Sequence, residues 1–146
     1  MIGILLVTHG DLGRQFIRTA RLIGLNSEES VLALSIDPAE SPDRVRDQLA
    51  KTIRKLNAGY GVLILTDLFG GTPTNLSLSF LEEGEVEVVT GLNLPMMIKA
   101  VNARASSDLG TLAVQATEAG KENIYLASDV FRQPHRRKDG GGNKGQ

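Results

Sequence analysis

The chain contains no cysteine. Disulfides, thiolate metal sites and cysteine nucleophiles are therefore excluded. Tryptophan is also absent and aromatic residues make up only 4%. That leaves little material for base-stacking platforms or an aromatic sugar cleft. No apolar run approaches the ~20 residues of a membrane-spanning helix. The first apolar run has no basic region before it, so it does not resemble a signal peptide. Charge of either sign is nearly balanced, with a formal net charge of -1. There is no global attraction to nucleic acid or to an anionic membrane. What remains is 146 residues, 41% hydrophobic and 23% charged. That composition suits one soluble domain with a real core, in the cytoplasm by default.

Ile2 to His9 (Ile-Gly-Ile-Leu-Leu-Val-Thr-His) has strand length and composition and is apolar on both faces. A central parallel strand has this character. His9-Gly10 then leads into a helical segment in which Leu12, Phe16, Ala20 and Ile23 form one face. Arg14, Arg18 and Arg21 fall mostly on the other side. Gly24 and Asn26 end this segment.

Val31 to Ile36 reads as a second strand. Ser41-Pro42 then starts a helix with Val45, Leu49, Ile53 and Leu56 as its apolar stripe. Val62 to Thr66 is a third strand, running into Asp67-Leu68-Phe69-Gly70-Gly71-Thr72-Pro73. Thr72 as N-cap and Pro73 as first helical residue predict a helix through Leu76, Phe80 and Leu81. Val86 to Thr90 is a fourth strand. Asn93 caps a helix carrying Met96 and Met97, which read as core, and Ser107-Asp108 begins another. Ile124 to Ala127 reads as a last short strand with no helix after it, an edge strand of different direction. Residues 1–132 form the folded domain. Residues 133–146, with His135, a basic triplet and a glycine run, read as a disordered polar tail.

Strand and helix thus alternate, which predicts an α/β fold: a mostly parallel sheet with helices on both faces. Order 2-1-3-4 places a switch point between the first and third strands, where ligands bind at the carboxyl edge. His9 and Asp67 end those two strands. Imidazole is a good nucleophile near neutral pH. A carboxylate that accepts the N–H of one ring nitrogen fixes the tautomer and offsets charge developing on the ring. Gly10 leaves room for a phosphate donor. Gly70, Gly71 and Thr72 offer backbone N–H groups and a hydroxyl to phosphate oxygens. These residues suit phosphoryl transfer through a phosphohistidine. Each has a bland alternative: a boundary histidine, a strand-end aspartate, an ordinary strand-to-helix turn. The Gly-Gly-Thr turn is not a Walker A loop, because Gly-Lys-Ser/Thr is missing. The coincidence of three such features at neighbouring strand ends favours function.

Three segments together, Val7-Thr8-His9-Gly10, Leu65 to Pro73 with Asn75, and Thr90 to Met96, resemble the mannose-family enzyme IIA domain of the bacterial phosphoenolpyruvate-dependent sugar phosphotransferase system. The resemblance covers about residues 1–130. It implies that His9 accepts phosphate from the phosphocarrier protein HPr and passes it to a IIB domain or protein. It implies that Asp67 hydrogen-bonds the ring and that Thr72 lies near the phosphate. Membrane components of the permease would be indirect partners; no nucleic acid, metal or cofactor is implied. The family fold is the parallel sheet of order 2-1-3-4 plus a final antiparallel strand that can be exchanged across a homodimer, which matches the strand read at Ile124 to Ala127.

Many relatives continue through an Ala/Pro-rich linker into IIB; the tail here differs, which predicts a stand-alone IIA. A regulatory domain of the same fold, whose phosphorylation state a partner reads, is the alternative. The related phosphoryl donor subunit of dihydroxyacetone kinase usually carries His-Ser where this chain has His9-Gly10. Thr8-His9-Gly10 also resembles motifs of histidine phosphatases and of small tetrapyrrole metal chelatases. Both use a second histidine, and His135 in the tail is a poor candidate.

Overall fold

The computed structural model describes residues 1–26 and 30–132 of the chain. The predicted tail and His135 lie outside these residues. The elements run β1 (Gly3–His9), α1 (Leu12–Leu22), β2 (Val31–Ile36), α2 (Pro42–Leu56), β3 (Val62–Thr66), α3 (Thr72–Leu78), β4 (Val86–Thr90), α4 (Leu94–Ala103) and α5 (Leu109–Glu122). The four strands form one parallel sheet in the order β2-β1-β3-β4.

The alternation of side chains along β1 and β3 divides the core in two. Ile4, Leu6, Leu63 and Leu65 meet α1, α4 and α5 on one face. Leu5, Val7, Val62 and Ile64 meet α2 and α3 on the other. Strands buried on both faces need apolar residues at every position, and β1 and β3 have them. Met96 and Met97 are buried in the first of these cores. They are core residues, as predicted, and offer nothing to an interface.

The helices begin where the sequence signals them. Ser41 Oγ accepts from the Arg44 amide, Asn93 Oδ1 from the Met96 amide and Asp108 Oδ1 from the Thr111 amide. The hydrogen bond from Thr111 holds the Asp108 carboxyl below the usual carboxylate range. Asn93 also donates to the Gly120 carbonyl at 3.0 Å and so ties α4 to α5.

Three local expectations need correction. First, the buried face of α1 is Gly13, Ile17 and Ala20, while Leu12 and Ile23 are exposed. The cause is Gly13. A Cβ there would lie 3.3 Å from Leu6, Thr8 and Ala33 side-chain atoms, so the helix presses its glycine onto the sheet and turns the expected stripe aside. Second, Gly71, not Thr72, is the N-cap of α3, and the helix ends at Leu78 instead of continuing to Leu81. The chain leaves by tighter turns, with Ser79, Phe80 and Leu81 amides bonded three residues back. Third, the last strand does not form. Residues 124–126 have no regular structure and 127–132 are helical. The Asp129 and Val130 amides both bond the Leu126 carbonyl, which winds the chain up. A strand needs a neighbour to pair with. Among the described residues β4 pairs in parallel with β3 alone, save for an isolated bridge between Val86 and Glu82.

Candidate functional site

The register sets Val7 opposite Thr66, so β1 and β3 end side by side at the carboxyl edge. His9 closes β1 two residues further on, and Asp67 directly follows the end of β3. His9 Nδ1 lies 2.7 Å from Asp67 Oδ2. The same oxygen accepts the His9 backbone N–H at 2.9 Å, and Oδ1 accepts the Leu68 N–H at 3.0 Å. Three donors thus hold one carboxylate. Burial alone would raise the Asp67 pKa. The backbone, ring and charge of His9, with the Leu68 amide, outweigh it and hold the carboxyl below its usual range. Asp67 is therefore ionised near neutral pH and can only accept. The proton between the two groups sits on Nδ1, and Nε2 of the neutral ring carries the lone pair.

The two side chains differ in access. Asp67 is 10% exposed and His9 is 42% exposed. Gly71 explains how the ring is seated. A Cβ on this residue would lie 2.7 Å from His9 Cε1 and 3.2 Å from Nε2. Its φ of -85° is open to any residue, so glycine is needed here for space, not for backbone freedom. Gly10, at φ +53°, makes the left-handed turn that lets α1 start directly after His9. The His9 ring thus lies between its Asp67 partner and Gly71. Gly70 and Thr72 flank Gly71, with the Gly70 carbonyl accepting from Asn75 Nδ2 at 3.4 Å and Thr72 opening α3.

Sequence reasoning assigned no role to the threonine before each site residue. Thr8 is fully buried, and its Oγ1 accepts the Gly13 N–H at 2.8 Å. It caps α1 in place of Asp11, whose side chain makes no capping bond. Thr66 is equally buried, and its Oγ1 lies 2.7 Å from Thr74 Oγ1. The signal was the repeated pattern of threonine followed by a polar residue at the end of an apolar strand.

Leu68 and Phe69, in the loop after Asp67, are exposed, Phe69 at 76%, and so is Leu12 at the start of α1. A slot of about 160 Å³ between α1 and α4 is lined by Leu12, Gln15, Phe16, Thr19 and Leu94. A larger groove of about 620 Å³ lies between α4 and α5 and is lined by none of the site residues. The imidazole is partly exposed at the carboxyl edge of the sheet, and the loop that carries its Asp67 partner exposes Leu68 and Phe69. Such an edge suits exchange with another macromolecule better than enclosure of a small substrate. No described helix is long and apolar enough to cross a membrane.

Residues 3–117 match the family model described as PTS system fructose IIA component. The PTS system mannose-specific EIIAB component of Escherichia coli K12 is 30% identical over 125 residues, which cover 84% of this chain. The matched part spans only 38% of that relative's own length. The PTS system sorbose-specific EIIA component of Lacticaseibacillus casei is 31% identical over 106 residues, covering 71% of this chain and 75% of the relative. Among solved structures, phosphotransferase system component EIIA from Streptococcus agalactiae superposes with a TM-score of 0.78 at 29% identity, covering 88% of this chain and 99% of that one. The chain accordingly belongs to the fructose/mannose enzyme IIA family of the sugar phosphotransferase system.

Proposed function

We propose that this IIA component is a phosphohistidine carrier. It accepts a phosphoryl group from HPr on His9 Nε2 and passes it to a histidine of a IIB domain or protein. One observation carries the assignment: Asp67 occupies Nδ1, which leaves Nε2 as the nucleophilic nitrogen of a partly exposed ring.

In the forward step the Nε2 lone pair attacks phosphorus and the N–P bond of the donor phosphohistidine breaks. The leaving nitrogen keeps that electron pair. Positive charge develops on the His9 ring while its Nδ1 proton stays in the bond to Asp67, whose negative charge offsets it. Asp67 acts as an orienting partner and neither takes the proton nor carries the phosphate. Gly10, Gly70, Gly71 and Thr72 receive the phosphoryl oxygens through backbone amides and the Thr72 hydroxyl. Gly71 also leaves the space beside Nε2 open. No metal or cofactor takes part in this scheme.

The protein works in the cytoplasm, where HPr and IIB meet it, and touches the membrane permease only through IIB. It pairs with a second copy. What supports pairing is the open edge of β4 together with the exposed Ile124, Tyr125, Leu126 and Phe131 beyond α5.

Incubation with phosphoenolpyruvate, enzyme I and HPr tests the reading. The expected product is one acid-labile, base-stable phosphate on His9, absent from His9→Ala. Equal labelling of His9→Ala overturns the assignment. Tight stoichiometric zinc binding without labelling would favour the chelatase alternative.

A further inference from the structure

The loop that carries Asp67 is held from below by a hydroxyl the phosphocarrier reading has not used. Thr74 lies in α3 and is fully buried. Its Oγ1 lies 2.5 Å from the Leu68 carbonyl oxygen and 2.7 Å from Thr66 Oγ1. A carbonyl can only accept, so Thr74 gives it its one proton. Thr66 must then be the donor to Thr74. The chain of bonds has a single direction, from Thr66 to Thr74 to the Leu68 carbonyl.

Leu68 is held at both ends. Its carbonyl is fixed by Thr74, and its amide donates to Asp67 Oδ1 at 3.0 Å. The other Asp67 oxygen takes the His9 ring. A shift of the Leu68 backbone would drag the carboxylate away from Nδ1, because among the described residues the Leu68 amide is the one donor to Oδ1. We propose that Thr74 is a positioning residue for phosphoryl transfer, setting the Asp67 carboxylate, and through it the His9 ring, by clamping the Leu68 carbonyl. This rests on the phosphocarrier reading for its kinetic consequence but not for its geometric one.

Two classes of variant separate positioning from general support of the fold. Thr74→Val keeps the shape and removes the hydroxyl; Thr74→Ser keeps the hydroxyl. Thr66→Val removes the upstream donor but leaves the Thr74 bond to Leu68. The readouts are the NMR signal of the His9 Nδ1 proton and the rate of phosphoryl acceptance from phospho-HPr. Thr74→Val should broaden or lose the Nδ1 proton signal and lower kcat about tenfold, the low end of losses seen when an orienting partner is removed. Thr74→Ser and Thr66→Val should keep the signal and stay within about twofold of the parent rate, since the clamping bond survives in both. If Thr74→Val does not fold, Thr74→Ala against Thr74→Ser gives the same hydroxyl contrast.

A parent-like Nδ1 signal and rate in Thr74→Val overturn the proposal, as does equal loss in Thr66→Val. A parent protein that takes no phosphate overturns the carrier reading alone. The Nδ1 signal then still decides the role of Thr74.

Discussion

The ends of β1 and β3 are built on one plan and put to different uses. Each is an apolar strand closed by a buried threonine, then a site residue, then a turn into a helix. At β1 the Thr8 hydroxyl accepts from the Gly13 amide and caps α1, while His9 projects into an open rim. At β3 the threonine donates inward to Thr74, and the Asp67 carboxylate is occupied by three donors. On the proposed reading, the reacting side keeps one nitrogen uncommitted, and the orienting side commits every hydrogen bond that fixes it. Transfer between two proteins asks for this division. The nucleophile must be reachable, and the group that fixes its tautomer must not move when the partner arrives.

Substitutions can test that division from either end. Asp67→Ala removes the orienting side altogether. It should slow phosphoryl acceptance by about 100-fold, the upper range for loss of an orienting partner, with an unchanged circular dichroism spectrum. Parent rates in both directions of transfer would take Asp67 out of the site. Gly71→Ala attacks the seat of the ring. The added methyl would sit 2.7 Å from Cε1, so the ring must leave its bond to Asp67 or the loop must shift. A loss of roughly tenfold is expected, with a changed chemical shift at Nε2 in a nitrogen-correlated spectrum of the ring. Thr8→Val is the converse case. It removes a helix cap and should cost about 1 kcal/mol in urea unfolding, while leaving Asp67 and the transfer rate nearly untouched. A rate loss as large as that of Asp67→Ala would erase the distinction between the two strand ends.

The smallest effect is in pH. Because the Asp67 carboxyl is held below its usual range, it favours the folded state above the ordinary aspartate pKa. That contribution fades as pH falls through the lowered folded value. Asp67→Asn should therefore flatten the stability profile on the acid side, below about pH 4. An acid limb as steep in Asp67→Asn as in the parent would assign the titration elsewhere.

Much of this arrangement was legible in the residues. Runs such as Ile2 to Val7 and Val62 to Leu65 carry their own evidence of burial on two faces. Turn residues mark where each helix begins, and topology then brings His9 to Asp67. The bounds of α3 failed locally, by one residue at its start and by a tighter turn at its end; the other failures concern how a segment meets parts of the chain outside itself. The stripe of α1 was misread because Gly13 has no side chain to count, yet it sets how closely the helix meets Leu6 and Ala33. Ile124 to Ala127 has strand-like residues, but the chain winds up there, with the Asp129 and Val130 amides on the Leu126 carbonyl, and does not pair with β4. Thr8, Thr66 and Thr74 suit β-strands or helix starts in ordinary ways. Nothing local says that the Thr8 hydroxyl caps α1, or that those of Thr66 and Thr74 form a buried chain ending on the Leu68 carbonyl.

The central claim is that Asp67 assigns the ring nitrogens, so the most direct measurement is of the nitrogen that becomes phosphorylated. Phosphorus–nitrogen coupling in the NMR spectrum of the ¹⁵N-histidine-labelled phosphoprotein reads it. The account predicts phosphate on Nε2 of His9, with Nδ1 still protonated toward Asp67. Phosphate on Nδ1, or on any other residue, would contradict it.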